Sequence, residues 1–106
     1  MKLEVHERIV LLELLPKEGD YAGMKAIRRA REMIGFTPEE RDFFELRNDG
    51  GQIQWNTLRA SEKIGDIPVD EYITNLIRDA LSALNKKKGL EDKHMSLFEK
   101  FIVMYQ

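Results

Sequence analysis

Two short alternating segments flank the dipeptide Asp49-Gly50 in the stretch from Phe44 to Trp55. An Asp-Gly pair tolerates the positive φ angles of a two-residue hairpin turn better than almost any other pair. With the turn at Asp49-Gly50, Asn48 faces Gly51, Arg47 faces Gln52, Leu46 faces Ile53, Glu45 faces Gln54 and Phe44 faces Trp55. Phe44, Leu46, Ile53 and Trp55 then share one face, and the polar residues share the other. That apolar face needs cover. Helical patterns lie on both sides of the segment, so the expected fold is a small sheet packed against helices.

The first helix is expected from about Leu3 to Leu15. Val5, Ile9, Leu12 and Leu15 form its stripe, widened by Val10, Leu11 and Leu14, and Pro16 stops it. Asp20 is placed to cap a second helix, whose inward residues are Met24, Ile27, Ala30 and Ile34 and whose C′ residue is Gly35. Thr37-Pro38-Glu39-Glu40 is the sharpest local signal: a threonine cap, proline at the first helical position and a glutamate to complete a capping box. The third helix that it opens is short and ends near Phe43. From Asn56 to Gly65 a helical turn at Asn56–Ala60 competes with an edge strand at Glu62-Lys63-Ile64. The strand is favoured, because a lone hairpin is only marginally stable. A fourth helix starts at Pro68 or Val69, runs to about Lys86 and ends in a Schellman turn at Gly89-Leu90. The fifth spans roughly Glu91 to Val103, with His94, Leu97, Phe98, Phe101 and Tyr105 on one face. The fold class expected is therefore α+β and mostly helical, with about five helices around a small antiparallel hairpin and a third strand left open.

A chain of 106 residues makes one domain, residues 1–106, and buries enough surface to fold without staples. It has no cysteine, which excludes disulfides, thiolate zinc and iron–sulfur sites. Acidic residues come too early for a signal peptide, and no apolar run approaches a membrane span, so the expected location is the cytoplasm. Charged residues make up 34%, yet the net charge is only −2. That balance argues against a protein that coats nucleic acid or an acidic membrane.

Chemistry-bearing patterns are sparse. His6 and His94 stand apart, with no third ligand at metal-binding spacing, so no metal and no cofactor is expected. Glu39, Glu40, Asp42 and Glu45 cluster near the third helix, where Glu39 and Glu40 are explained as first-turn acids. No serine sits in a nucleophile elbow, and no glycines form a phosphate loop. Lys86-Lys87-Lys88 reads as a helix C-terminus.

One surface signal rises above this background. Lys25, Arg28 and Arg29 lie together on the face of the second helix opposite its apolar stripe, with Arg31 at the boundary. Such a cluster can grip carboxylates or phosphates, or stand solvated and paired with Glu32 or Asp20. A winged-helix reading fails on charge: the helix before the hairpin carries Glu39, Glu40 and Asp42 against a single Arg41, where a groove-reading helix would meet phosphates.

Three stretches resemble a group of small, uncharacterised proteins encoded by bacteriophages and prophages. They are Glu7 to Gly19, Gln52-Ile53-Gln54-Trp55-Asn56 and Leu90 to Phe101. Each is a packing pattern without a chemical motif, so no functional residue is carried over. The resemblance implies a small accessory protein acting in a host cytoplasm by binding a host or phage protein. The reading expected from the sequence is thus a non-enzymatic adaptor or inhibitor working through protein contacts, with Lys25, Arg28, Arg29 and Arg31 as its contact residues. The alternative is a nucleic-acid-binding regulator that uses the same helix. Self-association stays open.

Overall fold

The computed structural model describes residues 1–104. The chain runs β1 (Lys2–Leu3), α1 (Val5–Leu14), α2 (Tyr21–Ile34), α3 (Pro38–Phe44), β2 (Arg47–Asp49), β3 (Gln52–Gln54), α4 (Thr57–Glu62), β4 (Gly65–Asp66), α5 (Glu71–Lys86) and α6 (Asp92–Phe98). A π-helical turn, Glu99–Val103, continues α6. The fold is mostly helical α+β, with two small antiparallel strand pairs among the described residues. No helix in the described residues is long and apolar enough to cross a membrane.

Local sequence chemistry sets most helix ends. Asp20 Oδ1 accepts from Gly23 N at 2.7 Å at the start of α2. Thr37 and Glu40 form the expected reciprocal box at α3, and Asp70 Oδ1 accepts from Ile73 N at α5. Two glycine roles differ from expectation. Gly35 ends α2 with φ −66°, so it is not a left-handed C′ residue. Its lack of a side chain matters because a Cβ there would stand 2.7 Å from the Arg31 carbonyl oxygen. At the end of α5 the left-handed residue is Lys88, at φ 58°. Gly89 N then donates to Leu84 O at 2.7 Å and Lys88 N to Asn85 O, so the Schellman turn forms one residue earlier than expected.

The core is built by α1, α2, α5, α6 and the π turn around Leu11, Ile27, Ile34, Ile77, Leu81 and Leu97. Leu3 of β1 and Ile67 after β4 seal one end. The apolar stripe expected for α1 is only partly right, because Glu7 and Arg8 are buried on it. Arg8 donates through Nε to Ile34 O at 2.9 Å and through Nη2 to Gly35 O, pairs with Glu40 and lies 4.0 Å over the Phe36 ring. Glu7 Oε1 accepts from Glu4 N at 2.9 Å and from Lys100 Nζ at 2.7 Å. Burial pushes the Glu7 carboxyl up, but these donors outweigh it and hold it below its ordinary value.

The hairpin register differs from the expected one. The turn is Gly50-Gly51, with φ 61° and 86°, so Asp49 pairs with Gln52, Asn48 with Ile53 and Arg47 with Gln54. A turn with both central residues at positive φ favours two glycines over Asp-Gly, since neither has a Cβ to clash. Asn48 Oδ1 also accepts from Gly51 N at 3.1 Å. Moving the turn by one residue slides the strands by two, which keeps Ile53 and Trp55 on one face but sets Asn48, not Leu46, opposite Ile53. Phe44 is not in the sheet at all. It ends α3 and packs edge-on to Phe36 and Phe43. Glu45, left-handed at φ 53°, turns the chain from helix to strand. Helix cover over the expected apolar face is only partial: Leu46 and Trp55 are half-buried, whereas Ile53 is 48% exposed.

The edge strand expected at Glu62-Lys63-Ile64 is also overturned. Asn56 caps a helix there instead, its Oδ1 accepting from Arg59 N at 3.1 Å. The next strand, β4, lies further on, at Gly65–Asp66, and pairs not with the hairpin but with the chain's start, Lys2 with Asp66 and Leu3 with Gly65. The expected Tyr105 contribution to the last helical face lies outside the described residues.

Candidate partner-binding site

Helix α2 presents its basic residues to solvent because Ile27, Ala30 and Ile34 are held in the core. The loop between α1 and α2 then folds back along it. Pro16 ends α1, and Arg31 Nη2 donates to the Pro16 carbonyl at 3.2 Å. This contact fastens the loop to the helix and brings Lys17 beside the basic face. The result is an open groove of about 670 Å³. Tyr21, Met24 and Ile27 form its apolar floor, and Lys17, Lys25, Arg28 and Arg31 form its rim.

Of the four residues expected to act together, the structure gathers Lys25, Arg28 and Arg31. Arg29 is separated from them. It lines a shallow cleft on the other flank of α2, beside Pro68, Val69 and Asp70. The reason is helical phase: each residue turns by about 100°, so Arg29 leads away from Arg28 toward Ala26 and Met33. Lys17, Tyr21 and Met24 are additions that the basic-cluster reading missed. Tyr21 and Met24 stand one turn before Lys25 and Arg28 on the same helix, a spacing visible in the sequence. Lys17 comes from the loop, and only the fold reveals it.

The groove is electrostatically one-sided. None of its lining residues is acidic. Among the described residues the ion pairs join Glu4, Glu7, Glu13, Glu40, Glu45 and Asp66 to other partners, never to Lys17, Lys25 or Arg28. Among the described residues no ion pair joins these cations to Asp20 or Glu32. Asp20 is occupied in capping α2. Tyr21 is 82% exposed, an unusual investment of aromatic surface beside four cations.

The other chemistry-bearing residues have local structural tasks. His94 is buried, and its Nδ1 accepts from Glu91 N at 2.9 Å, closing the cap of α6. His6 lies 3.3 Å from Glu4 on the surface of α1. Ser61 Oγ donates to Leu58 O at 2.7 Å. Glu45 accepts from Asn56 Nδ2 at 2.6 Å and faces Arg59. Among the described residues no group of three or more His, Cys, Asp or Glu side chains is placed to hold a metal ion.

Comparison with known proteins finds no matching family model, curated protein or solved structure.

Proposed function

We propose that this protein is a small non-enzymatic adaptor or inhibitor that binds another protein through the α2 groove. The observation that carries the reading is the gathering of Lys17, Lys25, Arg28 and Arg31 around Tyr21 and Met24, with no carboxylate of the described residues paired to Lys17, Lys25 or Arg28. Exposed aromatic and arginine side chains side by side are the composition that binding hot spots favour. The histidines and Ser61 have local structural contacts, which supports action by contact over catalysis. The resemblance to phage-encoded proteins supplies a setting, a host cytoplasm in which the module engages a host or phage protein.

Nucleic acid is the second reading, favoured by the same cations. A net charge of −2 and the exposed Glu39 and Asp42 of α3 count against it. The test is affinity capture from the source cell with nuclease treatment as a control, using wild type, Lys25→Glu with Arg28→Glu, and Arg29→Glu. A nuclease-resistant protein partner, lost in the double variant and kept in Arg29→Glu, is the expected result. Capture that survives the double charge reversal removes the groove from consideration. Nuclease-sensitive capture with a steep salt dependence moves the assignment to nucleic acid.

A further inference from the structure

The geometry points to an acidic amphipathic helix as the groove's occupant. This inference rests on the proposed protein-binding role and narrows it to one chemistry. Lys25, Arg28 and Arg31 follow one another at three-residue steps, with Met24 beside Lys25 and Tyr21 one turn before it, so they form one stripe that slants across α2. From Tyr21 to Arg31 that stripe is roughly 15 Å long, close to three helical turns. A second helix laid beside it offers a side chain every turn at the same rise, so carboxylates spaced three or four residues apart meet Lys25, Arg28 and Arg31 in succession.

Charge complementarity selects the sign: the rim carries four cations and the lining no acid. The floor selects the amphipathicity. Met24 is half-buried against the core, and its flexible thioether moulds to an incoming apolar side chain. Tyr21 adds a flat apolar surface with a polar tip. An extended peptide is disfavoured because strand addition needs a free sheet edge, whereas the groove is lined by side chains of α2 and by Lys17 of the loop before it. Nucleic acid is disfavoured because stacking and phosphate contact would leave the methionine floor without a partner of its own kind.

The test uses a fluorescently labelled synthetic helix of about fourteen residues, roughly 20 Å long, with leucines at i and i+4 and glutamates flanking them. Its controls are a scrambled peptide of identical composition and single- and double-stranded oligonucleotides. Saturable anisotropy binding of the amphipathic peptide is expected, weakened about tenfold or more by Lys25→Glu with Arg28→Glu and by about twofold or less by Arg29→Glu. The scrambled peptide is expected to bind at least about tenfold more weakly. Melting curves confirm that each variant is folded. Equal binding of the scrambled peptide, equal loss with Arg29→Glu, or no saturable binding overturns the inference. Tighter binding of an oligonucleotide to the same side chains overturns it in favour of nucleic acid. If the peptide fails while cellular capture still depends on Lys25 and Arg28, the protein-binding role stands and only the acidic helix falls. If capture is also indifferent to the charge reversal, both fall.

Discussion

Arg8 and Glu40 meet fork to fork, Nη1 donating to Oε2 at 2.8 Å and Nη2 to Oε1 at 3.1 Å. The pair joins α1 to the start of α3, and the same guanidinium holds the two carbonyls that end α2. Arg8 is 2% exposed, so removing its partner strands a charge in the interior, and removing Arg8 orphans both carbonyls. Arg8→Ala is expected to cost about 3–5 kcal/mol, and Glu40→Gln, which keeps an acceptor at the cap, about 1–3 kcal/mol. Urea unfolding measures both. A loss of less than about 1 kcal/mol for Arg8→Ala would place the guanidinium in solvent.

The same pair sets an acid limit. Hydrogen bonding from Arg8 holds the Glu40 carboxyl at about 2, against an ordinary 4.5. A depressed folded pKa means that the unfolded chain takes up the proton first as pH falls. The contribution is therefore whole above pH 4.5 and is lost as pH drops toward 2. Its size is on the order of 3 kcal/mol. Stability measured across that window should fall more steeply in the wild type than in Glu40→Gln. Parallel curves would show that another carboxylate governs acid unfolding.

Lys88 holds a backbone conformation that costs a side-chain-bearing residue energy, with φ 58°. Its ammonium makes no ion pair among the described residues. Lys88→Gly is therefore expected to stabilise the protein by about 1 kcal/mol and to raise the melting temperature by a few degrees. An unchanged or lowered melting temperature would contradict the left-handed assignment.

Gly35 tests the opposite effect. Its φ of −66° suits any residue, so conformational strain is not the issue. An added methyl would press on the Arg31 carbonyl and disturb the helix end that Arg8 grips. Gly35→Ala is expected to cost roughly 1–3 kcal/mol, read from the urea midpoint. Near-neutral stability would mean that the end of α2 relaxes without penalty.

Ile53 and Leu97 form a contrasting pair. Leu97 is fully buried, and Leu97→Ala should cost about 2–5 kcal/mol. Ile53 is half-exposed, and Ile53→Ala should cost under about 1 kcal/mol. Comparable losses at the two sites would show that the hairpin face is covered after all.

What the sequence reveals and what it hides divide along physical lines. Caps such as Asp20 and Thr37 join a side chain to a nearby N–H, and the helices they open stand where their periodicity puts them, whereas the helix expected from Pro68 or Val69 begins only at Glu71, behind the cap made by Asp70. The turn at Gly50-Gly51 was ambiguous because Asp49-Gly50 and Gly50-Gly51 both satisfy turn chemistry, and only the backbone angles separate them. Burial of Arg8 depends on Ile34, Gly35 and Glu40, up to 32 positions away, and no local pattern announces it. The candidate groove shows the same division. Lys25, Arg28 and Arg31 can be read from helical phase, but Lys17 joins them only through the long-range hold of Arg31 on Pro16.

The main core takes no residue between Gly35 and Asp66. The chain leaves it after Ile34, builds α3, the hairpin and α4 outside it, and returns at Ile67. Asn56 N donates to Phe44 O at 2.7 Å, drawing the hairpin's base shut, and Arg8 secures α3 near the point of departure. Such a limb opens as a unit at lower free energy than the body that bears it. Its amides should exchange with solvent ahead of those in α1 and α5. Its tip, where Gly50 and Gly51 have open space around them, is the place where extra residues could be spliced in while the helical body remains whole.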